Sequence, residues 1–167
     1  MKKQIIAGMA AVATLASAAP ALAGTASGTL TSTLSVTTSC SIAGGSAALD
    51  FGSIPAKTLT SPLDADTGAT LTVNCDGSST SPTLAIGASG NLVSGSRALK
   101  VATGTALVPY SVFRDAGRTV EYVIDQPVAL SAFTAGGNTV TLFGRIPTGT
   151  VIDQGDYSDT VSLTVTY

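Results

Sequence analysis

From residue 28 to the last residue the chain is written in period two, and this constrains its fold more than any other feature. Short runs of alternating apolar and polar residues are separated by glycine, proline, asparagine and aspartate, and no 3.6-residue period appears beyond the first two dozen residues. On extended backbone, successive side chains point to opposite faces, so such a chain makes sheets with one buried and one wetted face. The expected class is all-β, an antiparallel sandwich with essentially no helix. The final run, residues 157–167, is the clearest. Tyr157, Val161, Leu163, Val165 and Tyr167 fall on one face, and Thr160, Ser162, Thr164 and Thr166 on the other.

Other runs follow the same rule. Ala69, Leu71, Val73 and Cys75 share a face before the turn residues Asp76 and Gly77, and Leu84 with Ile86 and Leu99 with Val101 mark two short strands. Val108, Tyr110 and Val112 lead through Asp115, Ala116 and Gly117 into Val120, Tyr122 and Ile124, which predicts a hairpin. Val128 with Leu130 and residues 139–145 supply further strands, whereas residues 53–67, with Pro55 and Pro62, and residues 147–156 are expected to be loops. Leu49 and Phe51 alternate only briefly after Gly44 and Gly45.

The first alternating run, residues 28–36, carries no charge. Leu30, Ser32, Leu34 and Val36 share one face, and Thr29, Thr31, Thr33 and Ser35 the other. On pattern alone it is either the first strand of its own sheet or a strand offered to another molecule.

Residues 1–23 are expected to be a signal peptide. Lys2 and Lys3 precede an apolar, alanine-rich run too short to span a bilayer, and Ala21, Leu22 and Ala23 form an A-x-A cleavage site. No later stretch is long and apolar enough for a membrane span, so the protein is not expected to be membrane-embedded. Loss of Lys2 and Lys3 takes the net charge from −2 to −4, with the acids scattered, which argues against a nucleic-acid partner. Charged residues are only 11% of the chain, and Thr, Ser and Gly supply most of the polarity. That balance suits an exported protein packing against copies of itself. The expected plan is residues 24–37 as an N-terminal segment and residues 38–167 as one domain.

In an exported chain, the two cysteines, Cys40 and Cys75, are expected to form a disulfide, since a metal pair would need histidine or further cysteines. On the chain-entropy model, closing that loop stabilises the fold by roughly 3–4.5 kcal/mol. The absence of histidine excludes histidine-based triads and metal sites. Asp153, Asp156 and Asp159 are expected to be a solvated turn rather than a calcium site, and Arg114 and Asp115 a surface or structural pair. Tyr110, Tyr122, Tyr157 and Tyr167 are expected in the core or along a groove. No catalytic constellation emerges, and neither an enzyme nor a cofactor is expected.

Three blocks stand out: Tyr110-Ser-Val-Phe-Arg-Asp115, Phe143-Gly-Arg-Ile146 and above all Gln154-Gly-Asp-Tyr-Ser-Asp159 followed by an alternating run to the terminus. They resemble the spore coat protein U domain family, which includes subunits of archaic chaperone-usher pili. Phe51-Gly52 and Val73-Asn-Cys75 lend support. The resemblance implies an incomplete immunoglobulin-like sandwich that lacks its last strand, completed by a strand donated from elsewhere. It implies a groove beside the C-terminal strand walled by Val161, Leu163, Val165 and Tyr167, and a donor strand presenting Leu30, Ser32, Leu34 and Val36. The implied partners are a periplasmic chaperone, an outer-membrane usher and identical or related pilin subunits in a homopolymer. The implied place is a cell-surface pilus, or fimbrium, reached through the periplasm and serving attachment and biofilm formation. A spore-coat or surface-layer protein of the same fold, or a surface-binding adhesin module, is the alternative.

Overall fold

A computed structural model describes residues 27–65 and 68–167, so the expected signal peptide, residues 1–23, lies outside the described residues. The chain divides into two units, Met1–Ser35 and Val36–Tyr167. In the first, residues 27–35 are coil, and the strand expected over residues 28–36 does not form within this chain. An isolated strand lacks partners for its amides, and period-two patterning alone does not provide them.

The second unit is all-β among the described residues. Its strands are β1 (Cys40–Ile42), β2 (Lys57–Thr58), β3 (Leu63–Asp64), β4 (Ala69–Cys75), β5 (Thr83–Ile86), β6 (Leu92–Val93), β7 (Ser96–Val101), β8 (Leu107–Pro109), β9 (Ser111–Phe113), β10 (Val128–Ala129), β11 (Gly136–Ile146), β12 (Val151–Ile152), β13 (Tyr157–Ser158) and β14 (Leu163–Thr166). One sheet runs β1-β4-β11, with β3 and β9 both joining the far end of β11. Opposite it are β10-β5-β14 and β13-β7-β6, with β8 also on β7, and every named ladder is antiparallel. Leu71, Val73 and Leu142 of the first sheet meet Leu84, Ile86 and Val108 of the others in one buried cluster, which makes the unit a sandwich.

Alternation sets these elements. In β4, Ala69, Leu71, Val73 and Cys75 are buried while Thr70 and Asn74 are exposed. Cys40 stands opposite Cys75 in the β1–β4 ladder with Cα atoms 4.1 Å apart, and the two form the expected disulfide. Both expected loops contribute short strands: β2 and β3 fall in residues 53–67, and β12 in residues 147–156 pairs with β2.

Two expectations are corrected here. The final run is not one strand: β13 pairs with β7, the chain breaks over residues 159–162, and β14 pairs with β5. Arg114 and Asp115 do not pair. Asp115 accepts hydrogen bonds from the Thr119 and Val120 amides and the Thr119 hydroxyl, closing the hairpin turn, while Arg114 Nη1 donates to the Ala129 carbonyl at 3.0 Å. Local backbone donors within reach outcompete an exposed neighbouring cation.

Ion pairing occurs instead at Asp64, which Arg145 engages with two nitrogens at 2.7 and 3.1 Å and Arg118 approaches at 3.2 Å, fixing the β3–β11 register. The hydrogen bond from Arg145 holds the Asp64 carboxyl below its usual value of 3.8. A depressed pKa contributes stability above 3.8 that is lost as pH falls below it through the folded-state value. Asp64→Asn therefore flattens the acid limb of a stability-versus-pH curve measured by thermal unfolding, and an unchanged acid limb contradicts the assignment.

The strongest polar anchor is Arg97, which is buried. Its Nε donates to the Gly87 carbonyl at 2.9 Å, Nη1 to Tyr122 at 2.8 Å and Nη2 to Ile86 at 2.5 Å, tying the ends of β5 and β7 to the hairpin. Burial lowers its pKa, but an arginine stays charged. Arg97→Met leaves the Gly87 and Tyr122 carbonyls unpartnered, whereas that of Ile86 keeps the Asp125 amide. The expected loss is about 3 kcal/mol in denaturant unfolding, and Arg97→Lys restores only part of it because an ammonium lacks the planar fork.

Candidate strand-accepting groove

Beside the last strand lies a groove of about 1440 Å³. Its floor is the open end of the core, formed by Ile86, Val108, Tyr110, Val112, Leu142 and Ile146. One wall is the segment after β1. Gly44 and Gly45, at φ 71° and 69°, end the β1 ladder just beyond the bond from the Ala43 amide to Thr72, because a left-handed pair cannot continue a strand. Ala47, Leu49, Phe51 and Ile54 then pack against the core although no strand forms. Over residues 46–56, among the described residues, the backbone makes one hydrogen bond, from the Gly52 amide to Asp50 Oδ1 at 2.8 Å.

The other wall is residues 153–163. The strands β13 and β14 are both sheet edges, each with one neighbour. Their apolar face is only half-buried: Tyr157, Val161, Leu163 and Val165 are intermediate, where the matching residues of β4 are fully buried. Of the four expected wall residues, Val161 and Leu163 line the groove, Val165 continues the face beyond its end, and Tyr167 is 48% exposed.

Polar and aromatic contacts hold the walls to the floor. Asp159, at the break in the last strand, accepts from the Tyr110 hydroxyl at 2.7 Å and from the Ser89 hydroxyl at 2.7 Å, and Ser89 itself is buried. Burial first, then the Asp159 carboxylate, push the Tyr110 pKa well above its ordinary value, so Tyr110 is a permanent donor here. Phe51 meets the Tyr110 ring edge-on, centroids 6.1 Å apart, and lies on the backbone of β11 at Gly144, where a Cβ would sit 2.8 Å from Phe51 Cζ.

Asp159, half-buried, thus has a structural role that the acidic spacing did not disclose, while Asp153 and Asp156 are exposed. Among the described residues, no group of three His, Cys, Asp or Glu side chains is placed to hold a metal. Tyr110 and Tyr157 line the groove and Tyr122 is wholly buried. Sequence reasoning missed the 43–56 wall, whose signal was the alternation of Ala47, Leu49 and Phe51, and missed Arg97 and Ser89, which carry no periodic signal.

Leu30, Leu34 and Val36 are 92%, 87% and 84% exposed, and Ser32 is exposed beside them. Three large aliphatic side chains so close in sequence are costly to leave in water. Among the described residues no helix is long and apolar enough to cross a membrane.

Residues 26–164 match the family model described as the Spore Coat Protein U domain. Among solved structures, the chain is similar to the crystal structure of the P pilus rod subunit PapA, with 22% sequence identity and a TM-score of 0.49 over 77% of this chain and 98% of that one. Among curated proteins, none matches this chain.

A bulkier residue at position 144 must displace Phe51 from β11. Gly144→Val is expected to lower stability by about 2 kcal/mol in urea unfolding and to raise the exposure of Tyr110 in near-ultraviolet spectra.

Proposed function

Because the chain belongs to the spore coat protein U domain family, we propose that it is a structural subunit of an archaic chaperone-usher pilus, polymerised by strand donation. The observation that carries this reading is the groove, in which half-buried apolar side chains lie beside the unpaired edge of the last strand. An extended segment entering it would gain main-chain hydrogen bonds from the edge and side-chain contacts from the floor.

The donor on this reading is residues 28–36 of another subunit. Burying Leu30, Leu34 and Val36 at roughly 1.5–3 kcal/mol each contributes about 5–9 kcal/mol, less the cost of ordering the segment. Ser32, on the same face, calls for a pocket that is either shallow or filled by the acceptor. Before assembly a periplasmic chaperone lends the missing strand, and at an outer-membrane usher the next subunit's segment replaces it. The product is a homopolymeric fimbrium on the cell surface that supports attachment and biofilm formation. Residues 1–23 direct export, and the disulfide between Cys40 and Cys75 ties the root of one groove wall to β4.

Electrophoresis in SDS without heating tests this on the mature protein, on a version lacking residues 24–37, and on Leu34→Asp. A heat-sensitive ladder is expected only with the intact N-terminus and not with Leu34→Asp, which should still be captured by the chaperone. Ladders from all three, or monomer from all three, overturn the donor assignment. A monomer destabilised by the deletion alone would place the strand in its own domain.

A further inference from the structure

A second cavity, sharing no lining residue with the groove, lies between residues 129–133 and the middle of β11 and has a volume of about 500 Å³, within the range of small-molecule sites. Its chemistry is polar and of one sign. Arg114 lines it, and because Asp115 is committed to the hairpin turn, the guanidinium makes a single hydrogen bond, to the Ala129 carbonyl, and no ion pair among the described residues. The other lining groups include the hydroxyls of Ser131, Thr139 and Thr141, which form no side-chain hydrogen bond among the described residues.

A further observation points to a ligand. β11 pairs with β4 along one side from Gly136 to Leu142, but on its other side β9 begins only at Phe143. Alternate amides and carbonyls of residues 137–141 therefore face this side without a ladder partner.

We propose that this cavity binds a small sugar acid, its carboxylate on Arg114 and its hydroxyls on Ser131, Thr139 and Thr141. A carboxylate matches the free guanidinium fork, and a polyhydroxylated ring matches a lining of hydroxyls and unpaired backbone groups. The site is independent of strand donation. In a fibre it would recur once per subunit, so weak individual binding would sum to strong adhesion.

The test is titration of glucuronate, glucose and acetate into the mature protein, followed by amide NMR shifts. Saturable binding of glucuronate with shifts at residues 129–141, and at least about tenfold weaker binding of both glucose and acetate, is expected from one charge-assisted pair plus several hydroxyl contacts. Arg114→Gln should reduce glucuronate affinity about tenfold, and Arg114→Lys by less. Overturning results are no saturation by glucuronate, equal binding of glucose, acetate binding as tightly as glucuronate, shifts confined to the groove, or an Arg114→Gln protein that binds as wild type.

Discussion

A buried or half-buried backbone amide must find a hydrogen-bond acceptor, and at the last strand of this sandwich the supply runs out. The strands β13 and β14 each have one neighbour, and residues 46–56 across the groove have almost no backbone partners among the described residues. Between these two unsatisfied walls lies the apolar floor around Val112 and Leu142. Polar backbone and apolar side chains exposed together are costly to leave open to water. One extended strand supplies both amides and side chains, and this is why the proposed function follows from the shape of the gap.

The gap keeps its shape because its surroundings are pinned by contacts other than sheet ladders. The disulfide ties β1 to β4 at the root of one wall, Phe51 rests on Gly144, and Asp159 draws the other wall to Tyr110 and Ser89. Arg97 braces the ends of β5 and β7 beneath it. An incomplete sheet would otherwise relax by closing on itself, since close-packed interiors tolerate few voids. Polar anchors whose partners lie far apart in sequence resist that closure. Asp159 and Ser89 are separated by 70 positions, and Tyr110 and Asp159 by 49.

The break over residues 159–162 shows how such anchors override local pattern. Apart from Asp159, apolar residues recur with period two from Tyr157 to Tyr167, and the burial still alternates through the break. The ladder nevertheless changes partner from β7 to β5, and Asp159 turns its carboxylate to two buried hydroxyls. Side-chain alternation reports which face a residue takes. It does not report which neighbour its backbone bonds.

Much was legible from the residues alone. Alternation in β4 and β11, the turn chemistry around Asp115 and the two cysteines determined an all-β sandwich with one disulfide, because facing and turning are local properties of the chain. The facing of the last run was also readable, though not its division into β13 and β14. What only the tertiary structure decided was the coil state of residues 28–35 within this chain, the wall built from residues 43–56, and the buried partners of Arg97 and Asp159. Each of these depends on which distant groups meet, and the burial of a charge or the absence of a ladder is settled only when the surrounding backbone is in place.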